Sequence, residues 1–213
     1  MNKCLLFLFV LLLTHTSYAS CVRYPIHYSV KTDTGKVVYN TKLSRAEFAN
    51  IAKVKVSPHT VGLTVTPSPM TDIKTTSQVR QTGDSACVQV SNVEFTIKYE
   101  TITVYIDKKY PKGSCNFKVT KEHEDYHVAV FQQAIEFFKP DIEKALKNAV
   151  REIKPEKVYS DKQASVVIQK QKNQIYNKLK PVIEHINKKI VEKNYAIDTP
   201  ESYKKTTKRC KKW

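Results

Sequence analysis

Beyond its first twenty residues, this 213-residue sequence contains no apolar run of the roughly 20 residues that a membrane-spanning helix requires. Internal repeats are also missing, and the only compositional bias is towards lysine, so neither a repeat array nor a low-complexity polymer is expected. Acidic residues are scarce beside basic ones: 20 Asp and Glu stand against 36 Lys and Arg, a formal charge of +16. Aromatic side chains do not interleave with the lysines in the way that stacks bases, so specific nucleic-acid binding is not expected. The cysteines after residue 20 lack metal-ligand spacing and read as structural.

What is present begins with a leader. Lys3 supplies a positive start, Leu5 to Leu13 an apolar stretch too short to span a bilayer, and Ser17-Tyr18-Ala19 a small-x-small cleavage site. Residues 1–20 are therefore expected to be a signal peptide, and the mature chain to be secreted or periplasmic. Cys21 stands where a lipoprotein would be acylated, although Tyr18 fits poorly the position usually held by Leu. Cys4 leaves with the leader. Cys21, Cys87, Cys115 and Cys210 remain, an even number in an oxidising compartment. The basic excess gathers after Lys144. It suits anionic envelope polymers, but lysines spaced along helices also make an ordinary solvated face.

About 190 residues after the leader suffice for one domain with a core. The expected class is α+β, with residues 21–112 mainly β and 113–213 mainly α. Ile26 to Val30 and Lys36 to Tyr39 read as strands about the turn Asp33-Thr34-Gly35. Ser44 caps a short helix through Phe48, Ile51 and Ala52. Val61 to Val65 resumes strand character, and Pro67-Ser68-Pro69 breaks it. Residues 70–86 are polar and weakly patterned, which predicts a loop or short edge strand. Residues 87–108 read as a β-hairpin turning near Tyr99-Glu100. That register brings Cys87 towards Cys115 and leaves Cys21 and Cys210 to join the termini. Ser114 caps a helix that Pro140 ends or kinks. A second long helix over 161–194 carries Ile175, Leu179, Val182, Ile186 and Ile190 on one face, with Pro181 as an interruption.

The chemistry lies in His123-Glu124-Asp125-Tyr126-His127. On a helix, residues four apart share a face, so both imidazoles can reach one metal ion. Glu124 then stands beside a metal-activated water as a general base. The same face continues through Phe131, Ala134 and Phe138. Histidines serving only as solvated side chains have no reason to fall on that apolar stripe.

Together with Gly113-Ser114-Cys115-Asn116-Phe117 before it, and Asn194-Tyr195-Ala196-Ile197-Asp198 then Thr199-Pro200-Glu201-Ser202-Tyr203 and Cys210 after it, the motif resembles a family of exported bacterial proteins described as predicted zinc-dependent proteases of otherwise unknown function. The resemblance covers residues 87–210. It implies a zincin-like fold, with a sheet, a motif helix and long C-terminal helices. It also implies a zinc ion held by His123, His127 and a third ligand near Asp198. The family pattern has a His where this chain has Tyr203. Asp198 is accordingly the expected third ligand, with Glu201 the runner-up. Glu143 and Glu152 lack a supporting context. Tyr203 and His185 are candidate donors to an oxyanion, while His27 and His59 carry no motif.

The expected activity is zinc-dependent cleavage of a peptide or protein substrate, with Glu124 as base. A free edge of the hairpin's second strand is expected to pair with extended substrate. Two other readings stand beside it. One is a non-catalytic cationic protein that binds envelope polymers through a degenerate metal site. The other is hydrolysis of a non-peptide amide.

Overall fold

Two sheets meet at a corner, and that corner sets the architecture. The computed structural model describes residues 21–53, 60–66 and 68–213. The leader expected over residues 1–20, His59 and Pro67 lie outside them. The chain is α+β, in the order β1 (His27–Asp33), β2 (Lys36–Asn40), α1 (Arg45–Ala52), β3 (Gly62–Val65), β4 (Met70–Thr82), β5 (Ser85–Lys98), β6 (Thr101–Ile106), α2 (Cys115–Glu152), β7 (Glu156–Val158), α3 (Asp161–Ile197) and α4 (Pro200–Thr207). β1 runs parallel to β5 and β2 parallel to β6, and one register carries across the bend, with His27 opposite Asn92 and Lys36 opposite Thr101. β4 and β3 line the other side of β5 and β6, antiparallel to them.

The expected hairpin over 87–108 is therefore absent. β5 and β6 do not pair with each other, and neither do β1 and β2. Asp33-Thr34-Gly35 and Tyr99-Glu100 redirect their strands from one sheet into the next instead of reversing them. Two backbone bonds clamp the corner, Tyr99 N–H to Asp33 O at 3.0 Å and Lys36 N–H to Glu100 O at 3.2 Å. Gly35 sits there at φ +74°, and a Cβ would lie 2.8 Å from Tyr99 O, so only glycine fits. β6 lies between β2 and β3 and has no free edge. The outer strand beside the motif helix is β3, which among the described residues pairs with no strand other than β6.

Residues 70–82, expected as loop or short edge strand, form the 13-residue strand β4. Only Ile73 on it is buried, so its Thr, Ser and Gln side chains hide the alternation that would have marked it. β5 is the central strand and the centre of the core. Val88 and Val90 point inwards, then Val93, Phe95 and Ile97. The change of parity follows the register shift opposite Thr76 and Ser77. A bulge of this kind inserts one residue and turns the following side chains to the other face. On the opposite side of β5, β7 pairs only as far as Val88. Gln171 on α3, fully buried, accepts the Val90 N–H at 2.8 Å and donates to Lys154 O at 2.9 Å. β7, unanticipated in the helical half, pairs with the start of β5.

The helices follow their caps. Ser44 and Glu47 form a reciprocal capping box on α1. Ser114 Oγ accepts the Phe117 N–H at 3.2 Å at the start of α2. Pro140 and Pro181 lie inside α2 and α3 without ending either helix. An interior proline costs about 3 kcal/mol or more. Each is flanked by buried side chains, Phe138 and Ile142 on α2, Leu179 and Ile186 on α3, and packing of this kind offsets the lost bond.

The disulfides join Cys21 to Cys87 and Cys115 to Cys210, not Cys87 to Cys115 and Cys21 to Cys210. The expected pairing depended on the hairpin. Without it, the start of β5 lies against the N-terminal segment, where Gln89 bonds both backbone groups of Tyr24. The Cys21 sulfur is engaged in this bond, which argues against an acyl anchor there. Two disulfides fit an oxidising compartment. No helix among the described residues is long and apolar enough to cross a membrane.

Candidate metal centre

His123, Glu124 and His127 are buried on the face of α2 that meets the sheet and the end of α3. The two imidazoles lie one helical turn apart, with ring centroids 5.2 Å from each other. Across from them, Asn194 and Asp198 repeat the same four-residue spacing at the C-terminus of α3. Asp198 is the C-cap of that helix. One of its oxygens, Oδ1, lies 3.1 Å from His123 Nε2 and 3.2 Å from His127 Nε2.

The ligating atoms of His123, His127 and Asp198 all lie within 4.8 Å of one another, a group that can hold a metal ion. Ligand atoms of a tetrahedral zinc site, with bonds of about 2.0–2.2 Å, sit roughly 3.3–3.6 Å apart. The two histidine–aspartate separations are close to that range, so two nitrogens and one oxygen fit such an ion with small adjustments.

Asn194 sets the chemistry of His127. Its Nδ2 donates to Ile190 O at 2.9 Å, which fixes the amide so that Oδ1 faces His127 Nδ1 at 2.8 Å. Nδ1 therefore keeps its proton, and Nε2, which donates to Asp198 in the metal-free protein, is the nitrogen that becomes a ligand once it gives up its own. Nothing in the motif announces Asn194. Its signal is its place four residues before Asp198, on the same helix face.

Glu124 turns towards β3. Thr64 Oγ1 donates to Glu124 Oε2 at 2.8 Å. Gly62 lets the strand come this close, because a Cβ there would lie 2.6 Å from Glu124 Oε1 and 2.7 Å from Thr120 Cγ2. Thr64 and Gly62 carry no sequence signal, since their role depends on which strand flanks α2.

Electrostatics separate the acids. Burial pushes the Glu124 carboxyl above its usual range, against the opposing pull of His127, His123 and Thr64. Burial also acts to raise Asp198, but hydrogen bonds from His123, His127 and Tyr203 outweigh it and hold Asp198 well below the ordinary carboxylate range. Burial opposes the charged form of His127, yet Asp198, Glu124 and Asn194 prevail and raise it. Tyr203 on α4 donates to Asp198 Oδ1 at 2.7 Å, with its ring 5.3 Å from that of His123. Burial, then Asp198, raise its phenol.

The remaining sequence candidates lie elsewhere. Glu201, in the first turn of α4, is exposed and outside the His–His–Asp group. Glu143 is exposed, and Glu152 pairs with Lys178 at 2.8 Å. His185 stands edge-on to Phe138 with ring centroids 6.2 Å apart. His27 is an exposed residue of β1.

The C-terminal segment is fastened to the start of α2. Besides Cys115–Cys210, Arg209 pairs with Glu122 at 2.8 Å and Asn116 Nδ2 donates to Lys212 O at 2.7 Å. Beside the centre opens a cavity of about 580 Å³. Gly62, Leu63 and Thr64 of β3 form one wall, and Phe131, Ile190, Val191 and Tyr195 the other.

No protein-family model, curated protein or solved structure matches this chain.

Proposed function

We propose that the protein is an exported zinc-dependent hydrolase with a zincin-like core, cleaving peptide bonds. One observation carries the reading: two histidines four residues apart on α2 converge through Nε2 on Asp198, with a buried carboxylate at Glu124 next to them. A bound zinc ion supplies a Lewis acid and brings the pKa of water towards neutrality. His123, His127 and Asp198 are its proposed ligands, and Asn194 keeps His127 in the ligating tautomer.

Glu124 is the proposed general base. Its raised pKa brings proton affinity closer to neutrality than an exposed glutamate would have, which favours both taking a proton and returning it to a leaving amine. Thr64 orients its Oε2. Tyr203 is the proposed donor to developing negative charge, because its hydroxyl already reaches the group while His185 packs on Phe138. β3 lines the cavity beside Glu124, and its outer edge is the proposed seat for extended substrate. The grouping of three ligand atoms favours this reading over a cationic binding protein with a two-ligand site.

Glu124→Gln tests the assignment. The variant is expected to keep its zinc and lose hydrolysis by roughly a hundred- to ten-thousand-fold. Turnover equal to that of the unaltered protein would remove Glu124 as the base.

A further inference from the structure

The chain carries 36 Lys and Arg, yet among the described residues neither type lines the cavity beside the metal centre. Glu124, His127, Asp198 and Tyr203, which line it, all belong to the metal centre. Lysines of α3 near the cavity are engaged elsewhere: Lys189 pairs with Glu192 at 2.8 Å, and Lys193 lies over the Phe137 ring at 5.4 Å. The cavity itself is walled by Leu63, Phe131, Ile190, Val191 and Tyr195, and two of these keep much of their surface open to solvent, Val191 at 51% and Tyr195 at 75%. Exposed apolar surface converging on a concave site is a mark of ligand recognition.

We infer that this cleft takes an extended peptide segment bearing a large apolar side chain, such as Leu, Ile, Phe or Met, and rejects acidic segments despite the basic charge of the protein. The inference deepens the hydrolase reading and rests on it for where the cleaved bond lies. Two observations select the occupant. β3 runs along one wall with its second edge paired to no strand among the described residues, which offers main-chain bonds to an extended segment. The opposite wall is apolar, and apolar surface gains from covering a side chain of the same kind. An acidic side chain would instead lose its water against the apolar wall, where no lysine or arginine among the described residues lines the cavity to pair with it.

The test uses the purified Glu124→Gln protein with zinc and two fluorescein-labelled decapeptides that differ at one central position, Leu or Glu. Fluorescence anisotropy is expected to show the Leu peptide binding at least tenfold tighter. Adding Val191→Lys should weaken the Leu peptide about tenfold, whereas Val166→Lys, an exposed position elsewhere on α3, should leave it unchanged. The inference is overturned if the Glu peptide binds as tightly, if neither binds, or if Val191→Lys has no effect in a protein with an unaltered melting temperature. Incubating the Leu peptide with the unaltered zinc-loaded protein keeps the two readings apart. Selective binding without cleavage would leave the cleft assignment standing and remove the hydrolase.

Discussion

His127 is held at both ring nitrogens, and that shared grip makes two expectations specific. Asn194→Leu should lower metal affinity by roughly ten- to a hundredfold, the usual effect of losing a partner that orients a metal-binding imidazole, with the far-ultraviolet circular dichroism unchanged. Asn194→Asp keeps an acceptor for Nδ1–H and should retain most of that affinity. Metal binding also needs His127 neutral, while Asp198 and Glu124 raise its pKa in the metal-free protein despite burial. Protons therefore compete with the metal from above the ordinary histidine value of about 6.5 downwards. Titration calorimetry at several pH values should show affinity falling as pH drops through that region, with protons released on binding. A flat profile from pH 8 to pH 5 would contradict the role given to His127. Gly62 is the matching steric case. Gly62→Ala drives a methyl into Glu124 and Thr120 and should cost about 1–3 kcal/mol in a denaturant melt, as overpacking does.

At the scale of elements, legibility tracked whether a signal was local. α2 was readable from the Ser114 cap and its apolar stripe, and α1 from Ser44. The two α2 histidines and Glu124 are legible from spacing alone, whereas Asp198 comes only from the family resemblance. β4 was not, because a strand with one solvated face made of Thr, Ser and Gln resembles a polar loop in sequence. The corner at Tyr99-Glu100 escapes sequence reading because a turn signal says only that the chain changes direction. Whether it reverses or passes into a second sheet is decided by Asp33 at the end of β1 and Gly35 in the turn after it, on a segment offset by 65 residues in register. The edge of β5 beyond β7 shows the same dependence on distant residues. Gln171 answers the Val90 N–H from α3, so Gln171→Leu leaves a buried donor unpaired and should destabilise the fold by about 1–3 kcal/mol. A melt indistinguishable from that of the unaltered protein would mean that another acceptor reaches Val90.

The whole molecule closes the centre with a covalent ring. α2 carries both histidines, α3 delivers Asp198, and α4 leads on to Cys210, which returns to Cys115 at the start of α2. A disulfide that closes a loop of this length restricts the unfolded chain by about 4–5 kcal/mol in the chain-entropy model. Its position adds a second consequence. Cys115→Ser with Cys210→Ser should lower metal affinity as well as thermal stability, whereas Cys21→Ser with Cys87→Ser should lower stability and leave affinity within about twofold, since distant sites act independently. Equal effects of the two pairs on metal binding would show that the C-terminal fastening does not position Asp198.

The central claim is that His123, His127 and Asp198 together hold one zinc ion. Zinc content of the purified protein, measured by mass spectrometry after dialysis against trace metal, tests it most directly. One equivalent is expected in the unaltered protein, in Glu124→Gln and in Glu143→Ala, with loss in His123→Ala and a marked reduction in Asp198→Ala. A metal-free unaltered protein, or a His123→Ala variant that keeps its full equivalent, would contradict the account.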